Sequence, residues 1–154
     1  MTVTVTNNAT SGNRHARLKG IVLTGVDLAS PIVANNEGTD GTGALDNLTY
    51  TSAADNSMGF ASVSDWDTNS STFTAAAGTT IVDSTQVASS INCATLRQTT
   101  VGPAGTSVSL GLTSPTSTSW NWCWVEVREG AASSDPPPRR PVLAPSAAAM
   151  RSVW

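Results

Sequence analysis

The sequence predicts an all-β protein: an antiparallel β-sandwich, jelly-roll-like or immunoglobulin-like, followed by an extended proline-rich C-terminal arm. Three observations predict it. Charged residues make up only 12% of the 154, whereas long helices want Glu, Lys, Leu and Arg. Ser and Thr supply roughly a quarter of the chain, and with Val, Ala and Gly they suit pleated, turn-rich structure. Short alternating runs recur between clusters of Gly, Asn, Asp, Ser and Pro, the pattern of sandwiches and barrels. The length is that of one domain, divided into a sandwich over 1–130 and an arm over 131–154.

Taken in order, the alternating runs place strands at 2–6, 17–24, 47–52, 58–64, 71–75, 79–83, 92–99, 106–113 and 120–128. ANNEGTDGTG at 34–43 reads as a loop by composition, and SPTSTS at 114–119 as a turn between two strands. Residues 84–90 are ambiguous between strand and one helical turn. TVTVT followed by ARLKGIVLTG near the start echoes TSVSLGLTS followed by WNWCWVEVRE near the end. That echo suggests two equivalent hairpins whose strands run centrally in the sheets.

From Gly130 the composition changes to GAASSDPPPRRPVLAPSAAAMRSVW. Pro136, Pro137 and Pro138 favour polyproline II, Pro141 and Pro145 keep the segment out of a sheet interior, and Ser146 is placed to cap a short helical turn. Val142, Leu143 and Trp154 read as apolar anchors for a groove. Residues 1–135 hold five basic side chains against eleven acids, a net −6, whereas 136–154 hold Arg139, Arg140 and Arg151 and no acid. An acidic body with a basic arm suits docking on an acidic protein surface. Three arginines are too few for a nucleic-acid arm.

The stretch SWNWCWVEV at 119–127 sets three of the five tryptophans at every second position. On a strand, Trp120, Trp122, Trp124 and Glu126 share one face, and Cys123, Val125 and Val127 share the other. Glu126 and Arg128 at the charged end assign the tryptophans to the outside and Cys123, Val125 and Val127 to the core. A row of exposed indoles exceeds what a soluble monomer tolerates, so something covers them. The covers are a segment of the same chain, a subunit or partner interface, or sugar rings stacked on the aromatic face. The opposite registry, with the tryptophans inward, also stays open.

No basic and apolar leader opens MTVTVTNNAT, and no run is long enough to cross a membrane, so synthesis in the cytoplasm and no membrane partner are expected. Cys93 and Cys123 then read as buried thiols outside any disulfide. The single histidine, His15, sits in a polar loop without a nucleophile signature around it. Asp65-Trp66-Asp67-Thr68-Asn69 starts like a calcium loop but has Ser70 and Ala76 where a glycine and an acid are required. No metal, no cofactor and no enzymatic activity are expected.

LKGIVLTGVDLASPIVA at 18–34 and AGTSVSLGLTSPTSTSWNWCWVEVRE at 104–129 carry a likeness. Its marks are Gly25-Val26-Asp27 directly after a strand, then Ser30-Pro31-Ile32, and a closing strand that ends in Glu126-Val127-Arg128. In these the chain resembles the β-sandwich structural modules of tailed bacteriophages over roughly residues 2–129. The resemblance implies a virion structural role and transfers no site; the leading reading is, most specifically, a capsid decoration or cement protein. Its implied partners are other virion proteins, the major capsid protein first, and further copies of itself in a homo-oligomer. Trp120, Trp122, Trp124, Arg139, Arg140, Val142, Leu143 and Trp154 are the candidate interface residues. The alternative is a carbohydrate-binding or adhesion module of a tail or fibre.

Overall fold

Small apolar side chains that alternate with Ser, Thr and Asn need a partner strand on each side and a cover on one face, and the chain meets both needs with two sheets. A computed structural model describes residues 19–65, 72–87 and 91–130. The strands are β1 (Ile32–Gly43), β2 (Leu45–Thr51), β3 (Met58–Asp65), β4 (Thr74–Ala75), β5 (Thr79–Val87), β6 (Ile91–Gln98), β7 (Ser107–Ser114) and β8 (Thr118–Val127). The larger sheet has the order β1-β8-β3-β6-β5 and the smaller the order β2-β7-β4, with every pairing antiparallel. The pairing nests: first with eighth, second with seventh, third with sixth. The described part is therefore an all-β sandwich of two antiparallel sheets.

The core lies between the sheets. From the smaller sheet come Leu45, Leu48, Tyr50, Val108, Leu110 and Leu112, and from the larger Ala61, Val63, Ala94, Leu96, Trp120 and Trp124. Burying each aliphatic side chain of this kind contributes about 1.5–3 kcal/mol. Large rings are offset by small neighbours, as close packing requires. Ala61 lies opposite Trp124 on β3, and Tyr50 stacks on Trp124 with ring centroids 4.4 Å apart. The phenol of Tyr50 fits because residue 59 is glycine; a Cβ there would run into the ring and its hydroxyl.

The outward placement of the tryptophans is corrected. Trp120 is 1% and Trp124 8% exposed, both inside the core, and Trp122 is half-buried on the same inner face. Cys123, expected inside, is exposed. The misleading residue is Glu126, which marks no solvent face because it is itself completely buried.

Other expectations fare unevenly. Residues 34–43, read as a loop, form most of β1; its Gly and Asn content fits an edge strand that pairs with β8 alone and has no apolar alternation to satisfy. Residues 19–24, read as part of a strand, have no ladder partner. The ambiguous segment continues β5 as far as Val87. The turn before β8 holds a cis Ser114–Pro115 bond. β7 and β8 each run centrally, as the echo suggested, but in different sheets, so they form no hairpin. The strand expected at 2–6 and the whole arm, with Arg139, Arg140, Val142, Leu143, Ser146 and Trp154, lie outside the described residues.

Candidate functional site

Two connections, the segment that enters β1 and the segment that leaves β8 meet at one end of the sandwich. The β2–β3 turn is tied to the β6–β7 loop by Ser52 N–H to Thr106 O at 2.8 Å, Gly105 N–H to Ser52 O at 2.8 Å and Asn56 N–H to Gly102 O at 3.1 Å. The Ala104 N–H donates to Asp55 Oδ1 at 2.8 Å. Beside them, the segment entering β1 runs antiparallel to the segment leaving β8. Asp27 N–H donates to Arg128 O at 3.1 Å, and Gly130 N–H to Gly25 O at 2.8 Å. Residue 130 must be glycine for this approach, since a Cβ would stand 2.8 Å from the Val26 carbonyl oxygen.

A buried polar cluster locks the β2–β3 turn to β8. The carboxylate of Glu126, 0% exposed, accepts a hydrogen bond from the Ser52 hydroxyl at 2.8 Å and another from the Ser57 hydroxyl. The Ala53 N–H reaches both carboxylate oxygens at 3.0 Å. Next to it the Tyr50 hydroxyl donates to Gln98 Oε1 at 3.1 Å, and Gly59 N–H donates to the same oxygen. Burial, and after it the Glu126 charge, pushes the Tyr50 phenol well above its ordinary range, so it stays a donor. At the far end of the core, Asp65 is likewise fully buried and accepts from the Thr118 hydroxyl. Asp65 therefore points inward; Trp66, Asp67, Thr68 and Asn69, the rest of the calcium-like stretch, lie outside the described residues.

At the surface of the same end, an open cleft of about 580 Å³ is bordered by Ala54, Asp55, Asn56, Ala104, Arg128 and Glu129. Its guanidinium is already engaged: Arg128 Nη2 donates to Asp27 Oδ2 at 2.8 Å. The Asp27 carboxyl is held below the usual carboxylate range by the N–H groups of Ala29 and Ser30, and then by Arg128. The Arg128 Nε is buried without a partner. Protein-family models, curated proteins and solved structures were all compared with the chain. None matches.

Exposed apolar side chains concentrate on the segment that leads into β1. Val22 is 92% and Leu28 91% exposed, and Ile32, Ile21 and Leu23 are partly so. The segment is held at one end by the Lys19–Asp83 ion pair, 3.0 Å, on β5, and at the other by the Asp27–Arg128 pair and the Val26–Glu129 bridge. The segment thus carries exposed apolar side chains and is tied to the sandwich at two points.

Of the residues that the sequence nominated, Trp120 and Trp124 are core and Trp122 bridges core and surface; the five arm residues and His15 lie outside the described part. The sequence reading missed Glu126 as a buried anchor, because Ser52 and Ser57 on a turn are unremarkable by composition. Neither cysteine forms a disulfide. Cys123 lies opposite Ser62, and Cys93 opposite Ser64, on the two flanks of β3. Two strand spacings separate them, about 10 Å, beyond the ~7 Å limit for a bridge. Denatured protein without reductant should titrate two thiols, and native protein should react first at exposed Cys123 and more slowly at half-buried Cys93. A titre of zero would contradict the register.

Proposed function

We propose that the chain is a virion structural protein of a tailed bacteriophage, a decoration or cement protein that docks on the particle exterior without catalysing a reaction. The observation that carries this reading is the set of exposed apolar side chains Val22, Leu28 and Ile32, on a segment tied to the sandwich by the Lys19–Asp83 and Asp27–Arg128 ion pairs. A subunit of the major capsid protein is the proposed occupant. The strand pairing supports the reading in the finer detail of the fold: first with eighth, second with seventh and third with sixth are three of the nested pairs of a jelly roll, a framework of capsid and lectin domains, although β5 joins the larger sheet instead of pairing with β4. Fold alone assigns no role; the exposed apolar side chains add the contact surface.

The proline-rich arm is a second attachment element in this reading. Arg139 and Arg140 would meet carboxylates, and Val142, Leu143 and Trp154 would fill apolar pockets on the neighbour. With Trp120 and Trp124 in the core, the exposed apolar residues of 22–32 take over as the proposed interface.

Co-sedimentation with particles of the phage that carries the gene tests the proposal. Intact protein should pellet with heads, and a Val22→Asp, Leu28→Asp variant should bind about tenfold or more weakly with its unfolding midpoint unchanged, as for truncated interface anchors. Removing 131–154 should weaken attachment further. Protein that pellets with neither heads nor tails, or a double variant that attaches as tightly as the intact chain, would refute the reading.

A further inference from the structure

We propose that Trp122 and the inner face of β1 form a binding site for a pyranose sugar, independent of the virion reading. β1 pairs with β8 alone at one edge, and the close approaches of the smaller sheet fall on β3, β6 and β5, away from β1. The register puts Asn36 opposite Trp124, Gly38 opposite Trp122 and Asp40 opposite Trp120. Directly opposed residues of an antiparallel pair share a face. Asn36, Gly38 and Asp40 therefore lie on the inner face, where β1 forms a ledge beside the core.

The indole of Trp122 lies face-down on this ledge. A Cβ built on Gly38 would be 2.7 Å from Cζ2 of Trp122 and 3.1 Å from both Cε2 and Cη2. A point nearly equidistant from an atom and its two ring neighbours stands above the ring plane; an edge-on approach would leave the neighbours much farther away. One face of the indole thus rests on the glycine, and the residue packs against the edge of the core while remaining only half-buried.

Along β1, Asn36 and Asp40 flank Gly38 at two residues on either side, about 7 Å each. Asn36 is exposed and Asp40 half-buried. An aromatic plane bordered by a carboxamide and a carboxylate matches the two chemistries of a pyranose. The polarised C–H face of the sugar rests on the negative face of the ring, and the hydroxyls at its rim donate to a carboxylate and accept from the Asn36 amide group, whose oxygen takes the Glu37 N–H at 2.9 Å. The Asp40 charge and the acidic body disfavour phosphate-bearing ligands. The side groups of the ledge around Gly38 are polar, which disfavours an apolar peptide.

Saturation-transfer NMR on the full chain tests the site, using methyl glucoside, galactoside, mannoside and N-acetylglucosaminide as probes. At least one should receive saturation on its ring C–H protons, with millimolar affinity. Trp122→Ala and Gly38→Val should each weaken binding about tenfold or more, the second because its side chain would push the ring off its seat. Asn36→Ala is exposed and outside the core, so it should weaken binding several-fold in a normally folded protein even if either of the other two fails to fold. The absence of saturation from all four probes, or binding undiminished in Asn36→Ala, would overturn the proposal. Particle attachment in the previous experiment is unaffected by either outcome.

Discussion

Replacing Glu126 with alanine should lower the unfolding free energy by on the order of 3–5 kcal/mol, read from the midpoint of urea unfolding. The carboxylate is completely buried and takes hydrogen bonds from two serine hydroxyls and one backbone N–H. Its removal leaves the Ala53 N–H without an acceptor, at about 1–3 kcal/mol, and replaces two hydrogen bonds to a charged group, about 1.5–3 kcal/mol each, with weaker ones to the neutral Ala54 carbonyl. Glu126→Gln should lose less, because one acceptor oxygen remains while the new amide group faces the Ala53 N–H. The contrast between the two variants separates hydrogen bonding from packing. If alanine costs under about 1 kcal/mol, water must reach the cluster and the turn over residues 52–57 is not locked as described.

Trp120→Ala should be as severe, about 3–5 kcal/mol, because it empties the largest fully buried side chain. Its indole N–H also donates to the Gly43 carbonyl at 3.0 Å, at the bend where the chain leaves β1 for β2. Loss of the ring therefore opens a cavity and frees the corner between the two sheets. An outward tryptophan would show little effect on stability and a large one on assembly, so the urea midpoint of this one variant distinguishes the two registries. Trp122→Ala should cost clearly less than Trp120→Ala, because its ring is only partly inside.

Much of the fold was legible in the sequence. Seven of the eight strands coincide wholly or in part with alternating runs, because a two-residue period has one structural meaning wherever one face is buried. β1 escaped this reading for the same reason. Its inner residues Asn36, Gly38 and Asp40 lie at the sheet edge, exposed or half-buried, and with no face fully buried it carries no apolar period. The segment 19–24 failed in the opposite sense: its residues suit a strand, but propensity creates no ladder where no neighbouring strand is offered.

The sequence by itself determined the class of the protein, the position of most strands, and the pairing of chemistry along the last one, in which three tryptophans and Glu126 had to share a face. Which face that was, only the tertiary structure decided. A carboxylate normally marks solvent, because leaving water is costly for a charge. Here that cost is offset by Ser52, Ala53 and Ser57, which lie 74, 73 and 69 residues away in sequence. No local pattern records donors so remote, and they meet Glu126 only after the β2–β3 turn has folded over the end of β8. The same contact turns Trp120 and Trp124 into the core, exposes Cys123, and leaves Trp122 lying on Gly38 at the edge of the sheet.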